Sequence, residues 1–596
     1  VLTGAATVLA AVRPCAHAVA QDVPRYEDVS AAIGLSSVAP SRVTLVDLDG
    51  DGFCDLLAQE KDAQDVGNGG GPLRVFRNVA DPPAPGGRRL EEVAGAVPRF
   101  AGGTPREGAR ERGVFAVAGD VDGDGVQDLY RAVWQEVSDH PERPDTGERS
   151  ALLRGVVEDG RLRWVEVPGS GVDAGEPATN AGACFLDADR DGALDLFVGR
   201  WYVRYGAGLA AHADRLLRGD GTGRFADVTE AAGLATVAEV ERADSSRPTY
   251  GVSHGDVDGD GAQDLLVATY GRQANRLWRN RGDGTFEDVA DASGFDGDDE
   301  RSGTYPAWIQ EHPRLRGRED ERPFRAHGNT FSAVPGDVDG DGDLDVFLCE
   351  ITHGWAGPSS DLSALLLQER EPGAAAPRFR RVAAPFARRR DDVRRWNQGD
   401  IAAALGDLDL DGRLDVVLAS SAYPDDQRLR VYRQREDGGF DDATEAFGID
   451  LRDCHSVALA DLDGDGALEV VGAGQPTAWN GRARAVAAVF RAPRPADRHA
   501  VEVVLEGAKG SNRDAIGARV WLTAGGRTQV REVVSSTGHM GLAPPRALHF
   551  GLGSAARVDR LRVRWPDAKG TEEVVEGFAA DRRYRLRRGE GVLRPR

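Results

Sequence analysis

One acidic loop, written seven times, constrains this chain more than any other feature. Each copy reads Asp-x-Asp-x-Asp-Gly-x-x-Asp/Glu and runs into an apolar stretch, and the copies begin at Asp47, Asp120, Asp187, Asp256, Asp337, Asp407 and Asp461. The intervals are 73, 67, 69, 81, 70 and 54 residues. A loop repeated at a nearly regular period is the signature of a repeat architecture, in which each unit buries its apolar faces against its neighbours.

The loop is built for a cation. In the fourth copy, Asp256-Val-Asp258-Gly-Asp260-Gly-Ala-Gln-Asp264, acids at positions 1, 3, 5 and 9 converge if the chain curls, and Gly261 at position 6 allows the curl. The full ligand set is Asp47, Asp49, Asp51 and Asp55; Asp120, Asp122, Asp124 and Asp128; Asp187, Asp189, Asp191 and Asp195; Asp256, Asp258, Asp260 and Asp264; Asp337, Asp339, Asp341 and Asp345; Asp407, Asp409, Asp411 and Asp415; and Asp461, Asp463, Asp465 and Glu469. Hard oxygens in a flexible loop suit Ca²⁺, which takes roughly six to eight of them, better than Mg²⁺ with its tighter octahedron. No Cys or His joins the set, which excludes the usual zinc chemistry. Up to seven Ca²⁺ sites are expected. Arg190 and Leu410 replace Gly at position 4 of loops three and six, and loop seven ends in Glu469, so these sites are expected to bind more weakly, with three and seven partly filled.

Charge agrees. The loops hold 28 of the 97 acids, and the other 69 are offset by 74 basic residues, so the net charge of -23 resides in the loops. Seven divalent ions would leave about -9. The acidity is ligand rather than a surface for basic partners, and nucleic acid is not an expected partner.

The loops are not EF-hands, which place a bidentate Glu at position 12 between helices. Here β-branched runs flank the loop, as in Arg42-Val-Thr-Leu-Val46 before the first and Asp264-Leu-Leu-Val-Ala268 after the fourth, so each loop joins two antiparallel strands. A hairpin follows, as in Leu277-Trp-Arg-Asn-Arg-Gly-Asp-Gly-Thr-Phe286 and Val431-Tyr-Arg-Gln-Arg-Glu-Asp-Gly-Gly-Phe440. Each repeat therefore has strands A, B, C and D, with the ion loop between A and B. Seven such units predict an all-β fold, a seven-bladed β-propeller over residues 21–490. The ends complement each other: residues 26–30 carry a D-strand signature with no preceding strands, and the seventh repeat lacks its D strand. The first segment is expected to complete the last blade and remove an exposed edge. A linker at 491–499 leads to alternating strands over 500–590, read as a small β-sandwich.

These residues resemble two known families. The acidic loops with their Asp-Leu-x-Val strands are similar to FG-GAP/VCBS repeats, as in integrin α-subunit propellers. The segments Gly510-Ser-Asn-Arg-Asp-Ala-Ile-Gly-Ala-Arg-Val520, Leu548-His-Phe-Gly-Leu-Gly553 and Val563-Arg-Trp-Pro566 resemble the ASPIC/UnbV domain. Together they resemble the cartilage acidic protein family, and the resemblance implies an exported, calcium-binding β-propeller protein.

Residues 1–20 read as the apolar and cleavage regions of a secretory signal peptide, with Ala18-Val-Ala20 at the cut. Export places the protein in the periplasm, at the cell surface or outside the cell. No later run is long enough to span a membrane, and a monomer is expected. Cys54, Cys184, Cys349 and Cys454 fall in separate strands without metal spacing and read as buried apolar side chains. Gly251-Val-Ser253-His-Gly255 matches a nucleophile elbow in letters, but it lies within a strand and lacks the strand–turn–helix setting. Arg218-Gly-Asp220 and Arg281-Gly-Asp283 spell an adhesion tripeptide at hairpin turns, where Asp-Gly is expected for geometry.

With the ion loops on one face of a propeller, the B–C and D–A connections share the other. That face collects aromatics, including Trp201, Tyr202, Trp308, Trp355, Trp396, Tyr423 and Trp479, and the longest insertion, near 296–328. Aromatics are enriched at binding hot spots, and equally pack loops onto sheets. The expected function is a non-enzymatic binding or adhesion scaffold with a protein or glycan partner on this face. The alternatives are an exported polysaccharide-active enzyme with its site at the central channel, or a structural module of an envelope complex.

Overall fold

The computed structural model describes residues 23–60, 70–99, 113–135, 147–173, 178–206, 208–313, 315–321, 326–369, 376–388, 397–421, 427–475 and 485–596. The signal-like segment 1–20 and Trp396, Tyr423 and Trp479 lie outside them. Strands make up nearly all the regular structure, and the chain is all-β.

Every ion loop joins two antiparallel strands. Strand A ends just before the first acid: Pro40–Val46, Gly113–Gly119, Asn180–Leu186, Thr249–Gly255, Thr330–Gly336, Asn397–Gly406 and Cys454–Ala460. Strand B starts on the position-9 acid in all seven repeats, from Asp55–Glu60 to Glu469–Gly474. Two further strands complete an A-B-C-D order, as in Pro40–Val46, Asp55–Glu60, Leu73–Ala80 and Arg88–Glu92. The seventh sheet takes its fourth strand from the other end of the chain: Glu27–Asp28 pairs with Arg491 and Phe490. Sheets five and six are also laced together, because strand Asp345–His353 runs on to pair Ile351–His353 with Asn397–Gly399.

All seven A strands share one irregularity that no letter pattern announces. The residue six places before the first loop acid, namely Ser41, Val114, Ala181, Tyr250, Phe331, Ile401 or His455, is a β-bulge. A bulge sharpens the local twist and turns the strand end away from its partner.

Apolar faces pack from each sheet to the next. Leu57 and Val75 of the first sheet meet Leu129 and Leu153 of the second. Phe197 and Leu216 meet Leu265 and Trp278, Leu266 and Leu277 meet Val346 and Leu366, and Phe347 and Leu365 meet Val416 and Tyr432. One large cluster joins the second and third sheets through Tyr130, Phe185 and Leu196, and the sixth and seventh through Val417, Leu459 and Val470. The seventh returns to the first through Val471 and Val489 against Leu45 and Leu56. The four cysteines lie in these interfaces, buried and unbridged.

The C-terminal segment forms two four-stranded sheets around a shared core of Val501, Val503, Leu505, Val520, Leu522, Leu561 and Val563. It does not stand apart from the repeats. Strand Thr537–His539 leaves these sheets and pairs antiparallel with Gly251–Ser253 of the fourth A strand. Around it, Ser535 Oγ donates to the Phe185 carbonyl (2.6 Å), Ser536 Oγ to that of Val252 (2.7 Å), and the Met540 amide to that of Ala181 (3.2 Å). The His539 amide donates to Ser332 Oγ (3.0 Å), and its ring lies 3.3 Å from Arg42. One hairpin thus touches A strands of the first, third, fourth and fifth repeats, and a Cβ on Gly541 would meet Phe115 of the second at 2.6 Å.

Candidate metal centres

Each loop is held by hydrogen bonds among its own acids and amides. In the first, the Gly52 amide donates to Asp47 (2.9 Å), the Asp51 amide to Asp49 (3.1 Å) and the Phe53 amide to Asp51 (2.9 Å). Position 6 is glycine with φ between 90° and 99° in all seven copies. Position 4 is also left-handed, including Arg190 and Leu410 at φ 57°. Those two side chains therefore keep the loop shape, at about 1 kcal/mol of backbone strain each.

The position-9 acid has a second task. In every loop one of its oxygens accepts the position-2 amide, from Leu48 to Asp55 (3.0 Å) through Leu462 to Glu469 (2.7 Å). In six loops its other oxygen accepts an amide of strand C, as from Asn78 to Asp55 at 2.8 Å. The acid latches loop to sheet as well as offering a lone pair to an ion.

The acids converge as the spacing predicts. Asp47, Asp49 and Asp55 each place an oxygen within 4.8 Å of the others, as do Asp120, Asp122 and Asp128, and the matching acids of loops three and five; in loop four the set is Asp256, Asp258 and Asp260. Buried oxygens on Asp47, Asp120, Asp256, Asp409 and Glu469 have no hydrogen-bond partner. Burial, reinforced by neighbouring acids, pushes Asp55 and Asp187 up to about 8, Asp120 to about 7 and Asp47 to about 6. Crowded, buried and unpartnered carboxylate oxygens fit a hard divalent cation, which would supply the charge that the acids lack. Positions 1, 3 and 9, with position 5 at the mouth, would hold it.

Two sets of arginines complete the loops. In six repeats an arginine on strand C faces the position-3 acid: Arg77 to Asp49, Arg154 to Asp122 (2.9 Å), Arg218 to Asp189 (3.8 Å), Arg279 to Asp258 (2.5 Å), Arg433 to Asp409 (2.5 Å) and Arg491 to Asp463. The fifth repeat has Leu367 at this place. The second set comes from the C-terminal segment and meets position 1: Arg596 reaches Asp47 (3.3 Å), Arg513 reaches Asp120 (3.5 Å), Arg564 pairs with Asp256, and Arg583 reaches Asp461 (3.7 Å). The C-terminal segment therefore sits on the ion-loop face as a cap. Sequence reasoning missed both sets. The strand-C arginines recur in register after an apolar residue, which is a readable signal, whereas the cap arginines carry none.

On the face away from the loops, aromatic rings gather as expected, in two roles. Trp201 is 3 % exposed and stacks on Tyr250 with centroids 4.3 Å apart; it underpins the surface rather than forming it. Tyr202, also buried, and Trp355 line a cleft of about 640 Å³ with Tyr205, Tyr270, Arg318 and His353. Tyr205 is 41 % exposed, and Trp355 stacks on His353 at 5.4 Å with Arg318 over its ring. Trp308 does not line the cleft and packs by His312. Ser253 is no elbow nucleophile: its hydroxyl, inside strand Thr249–Gly255, donates to the Ala333 carbonyl at 2.5 Å. In the turn after Arg218, Asp220 accepts from the Thr222 amide (2.8 Å), and Asp283 accepts likewise from Thr285 (3.0 Å).

Fold and loops define a repeat protein of β-propeller type whose acidic loops are compatible with metal binding. The chain carries FG-GAP-like repeats, matched by that family's model at residues 256–309 and 407–472, and its residues 508–592 match the ASPIC and UnbV model. It is similar to cartilage acidic protein 1 of Homo sapiens, 28% identical over 330 residues that are 54% of this chain and 41% of that protein. The match thus spans less than half of that relative. Among solved structures, exotype rhamnogalacturonan lyase YesX aligns at 13% identity over 79% of this chain and 75% of its own, with a TM-score of 0.36. BBS1N in complex with ARL6DN aligns at 10% identity over 79% and 98%, with a TM-score of 0.37.

Proposed function

We propose that the protein is an exported, calcium-bound, seven-bladed β-propeller that serves as a non-enzymatic binding scaffold and takes a carbohydrate in the aromatic cleft opposite its calcium loops. The seven sheets are its blades and the C-terminal sheets a sandwich-like cap. The observation that carries the reading is the division of the two faces. The cap covers the loop face and its hairpin pairs with the fourth A strand, whereas the other face keeps a wide cleft walled by Tyr205, Tyr270 and Trp355. Aromatic faces stack on the apolar faces of sugar rings, and Arg318 and His353 add polar groups at the rim.

The test is a glycan array with calcium-loaded protein, followed by calorimetry on any hit. Tyr205→Ala and Trp355→Ala should each weaken binding at least tenfold; the exposed Tyr205 should leave the melting temperature within roughly 2 °C of the parent, whereas the partly buried Trp355 should also lower it. Absence of any glycan binding, or hits that both variants bind normally, would refute the carbohydrate reading.

A further inference from the structure

A second group of ligand atoms lies beside the cleft, away from the seven loops. We propose that His327, Glu350 and Asp361 form a buried cation site with mixed nitrogen and oxygen donors, suited to a first-row divalent ion such as Mn²⁺ or Zn²⁺. The three residues come from separate pieces of chain. His327 precedes the fifth A strand, Glu350 lies in the fifth B strand, and Asp361 comes just before the fifth C strand. They are 5 %, 0 % and 1 % exposed.

Each presents an atom without a hydrogen-bond partner among the described residues. Thr330 Oγ1 donates to Glu350 Oε1 (2.6 Å), and the Asp298 amide donates to Asp361 Oδ2 (3.0 Å). Glu350 Oε2, Asp361 Oδ1 and His327 Nδ1 are buried without a partner. Orphaned buried polar atoms are rare because each forfeits its hydration, and three in one place point to a missing ligand.

Two glycines give these atoms room. A Cβ on Gly297 would lie 2.4 Å from His327 Nδ1 and 3.0 Å from Asp361 Oδ2. One on Gly328 would lie 2.2 Å from Glu350 Oε2 and 3.0 Å from the Asp361 Cβ. Both glycines keep side-chain volume out of the space on which the donors close.

Charge supplies the valence. Glu350, Asp361 and Asp298 share the field of Arg381, whose terminal nitrogens make no hydrogen bond among the described residues; Arg272 also acts on Asp361, and Arg301, Arg247 and Arg272 act on His327. The three carboxylates outnumber the guanidinium among them, and a divalent ion would offset the excess. The nearby acid Asp296 is already paired with Arg301 at 2.6 and 2.9 Å, and Arg272 with Glu321 at 3.2 Å. An imidazole beside carboxylates favours Mn²⁺ or Zn²⁺ over Ca²⁺, whose ligands are oxygens. The ion would tie the connection between repeats four and five to the sheet beneath.

The nitrogen donor makes the site separable from the all-oxygen loops. Full-length protein is stripped of metal, saturated with Ca²⁺ and titrated with Mn²⁺, and pulsed electron paramagnetic resonance reads ¹⁴N modulation. We expect one equivalent of Mn²⁺ with a directly bound imidazole nitrogen. His327→Gln should abolish the modulation, and Asp361→Asn should weaken Mn²⁺ binding at least tenfold, with the circular dichroism of both calcium-loaded variants unchanged. Calcium-saturated parent protein that shows no nitrogen coupling, or modulation that survives His327→Gln, overturns the assignment. The parent measurement decides even where a variant does not fold.

Discussion

Removing divalent cations should destabilise the protein by an amount that depends on pH in a diagnostic way. At free Ca²⁺ ten times its Kd, linkage stabilises the fold by about 1.4 kcal/mol per site, so seven equal sites add roughly 10 kcal/mol. With an unfolding entropy of about 2.1 cal/mol/K per residue, a chain of 596 residues should lose on the order of 8 °C in Tm on chelation. The acids set the pH dependence. Burial and neighbouring acids raise Asp55, Asp128 and Asp187 to about 8 and Asp195 and Asp345 to about 7 in the metal-free fold. A raised folded pKa contributes stability that is complete below the unfolded value near 4 and is lost as pH climbs through the folded one. Metal-free protein should therefore melt higher at pH 5 than at pH 8, each of these acids losing up to about 4 kcal/mol over that interval. Calcium binds the ionised form, so in its presence the order reverses. Differential scanning fluorimetry at both pH values, with chelator or with millimolar Ca²⁺, reads all four states. A metal-free Tm that rises with pH, or equal melts with and without calcium, would refute the reasoning.

The position-9 acids should prove structural as well as ligating: at pH 5 Asp55→Asn turns an amide donor toward backbone amides and should cost about 1–3 kcal/mol even in chelator, whereas Asp51→Asn should cost stability only with calcium, as denaturant melts will show. Arg564→Ala leaves the buried Asp256 carboxylate with only Arg519, 3.9 Å away and shared with Glu532, and should cost about 1–3 kcal/mol without metal and less once calcium takes over that charge. Leu410→Gly relieves about 1 kcal/mol of left-handed strain but removes a fully buried side chain worth about 2–3 kcal/mol, so it should lower Tm despite restoring the loop consensus. Gly538→Val should unseat the hairpin strand Thr537–His539, because its Cβ would sit 2.5 Å from that of Ser332 at φ 138°; faster hydrogen exchange at Ser535–His539 is the readout.

What could be read from the sequence is what repeats. The loop acids give the position of every A–B turn, and the strand on either side follows from β-branched alternation. The clasp was readable too, because residues 26–30 copy a D strand that repeat seven lacks, and Glu27–Asp28 does pair with its C strand. Period carried this information, and period also hid some of it. The strand-C arginines stand in hairpin strings whose Asp-Gly turns and closing Phe drew attention to turn geometry, so the residue that neutralises the position-3 acid passed as filler. The bulge at Ser41, Val114, Ala181, Tyr250, Phe331, Ile401 and His455 has no common side chain, since only backbone register defines it.

What could not be read is what happens once. The cap arginines reach acids hundreds of positions away, as Arg596 does to Asp47, and no local spacing encodes such a pairing. The aromatic face fails for a related reason. Trp201 and Trp355 both follow a B strand, yet one ring is buried under Tyr250 and Tyr202 while the other lines a cleft, because the neighbours differ and not the letters. Local pattern fixed where the ligands for the ions stand, and tertiary contact decided which face stays free. It follows that the two ends of the reasoning fail independently. Loss of calcium binding in a loop variant tests the repeat chemistry and leaves the cleft untouched, while a silent Tyr205→Ala tests the cleft and leaves seven metal loops standing.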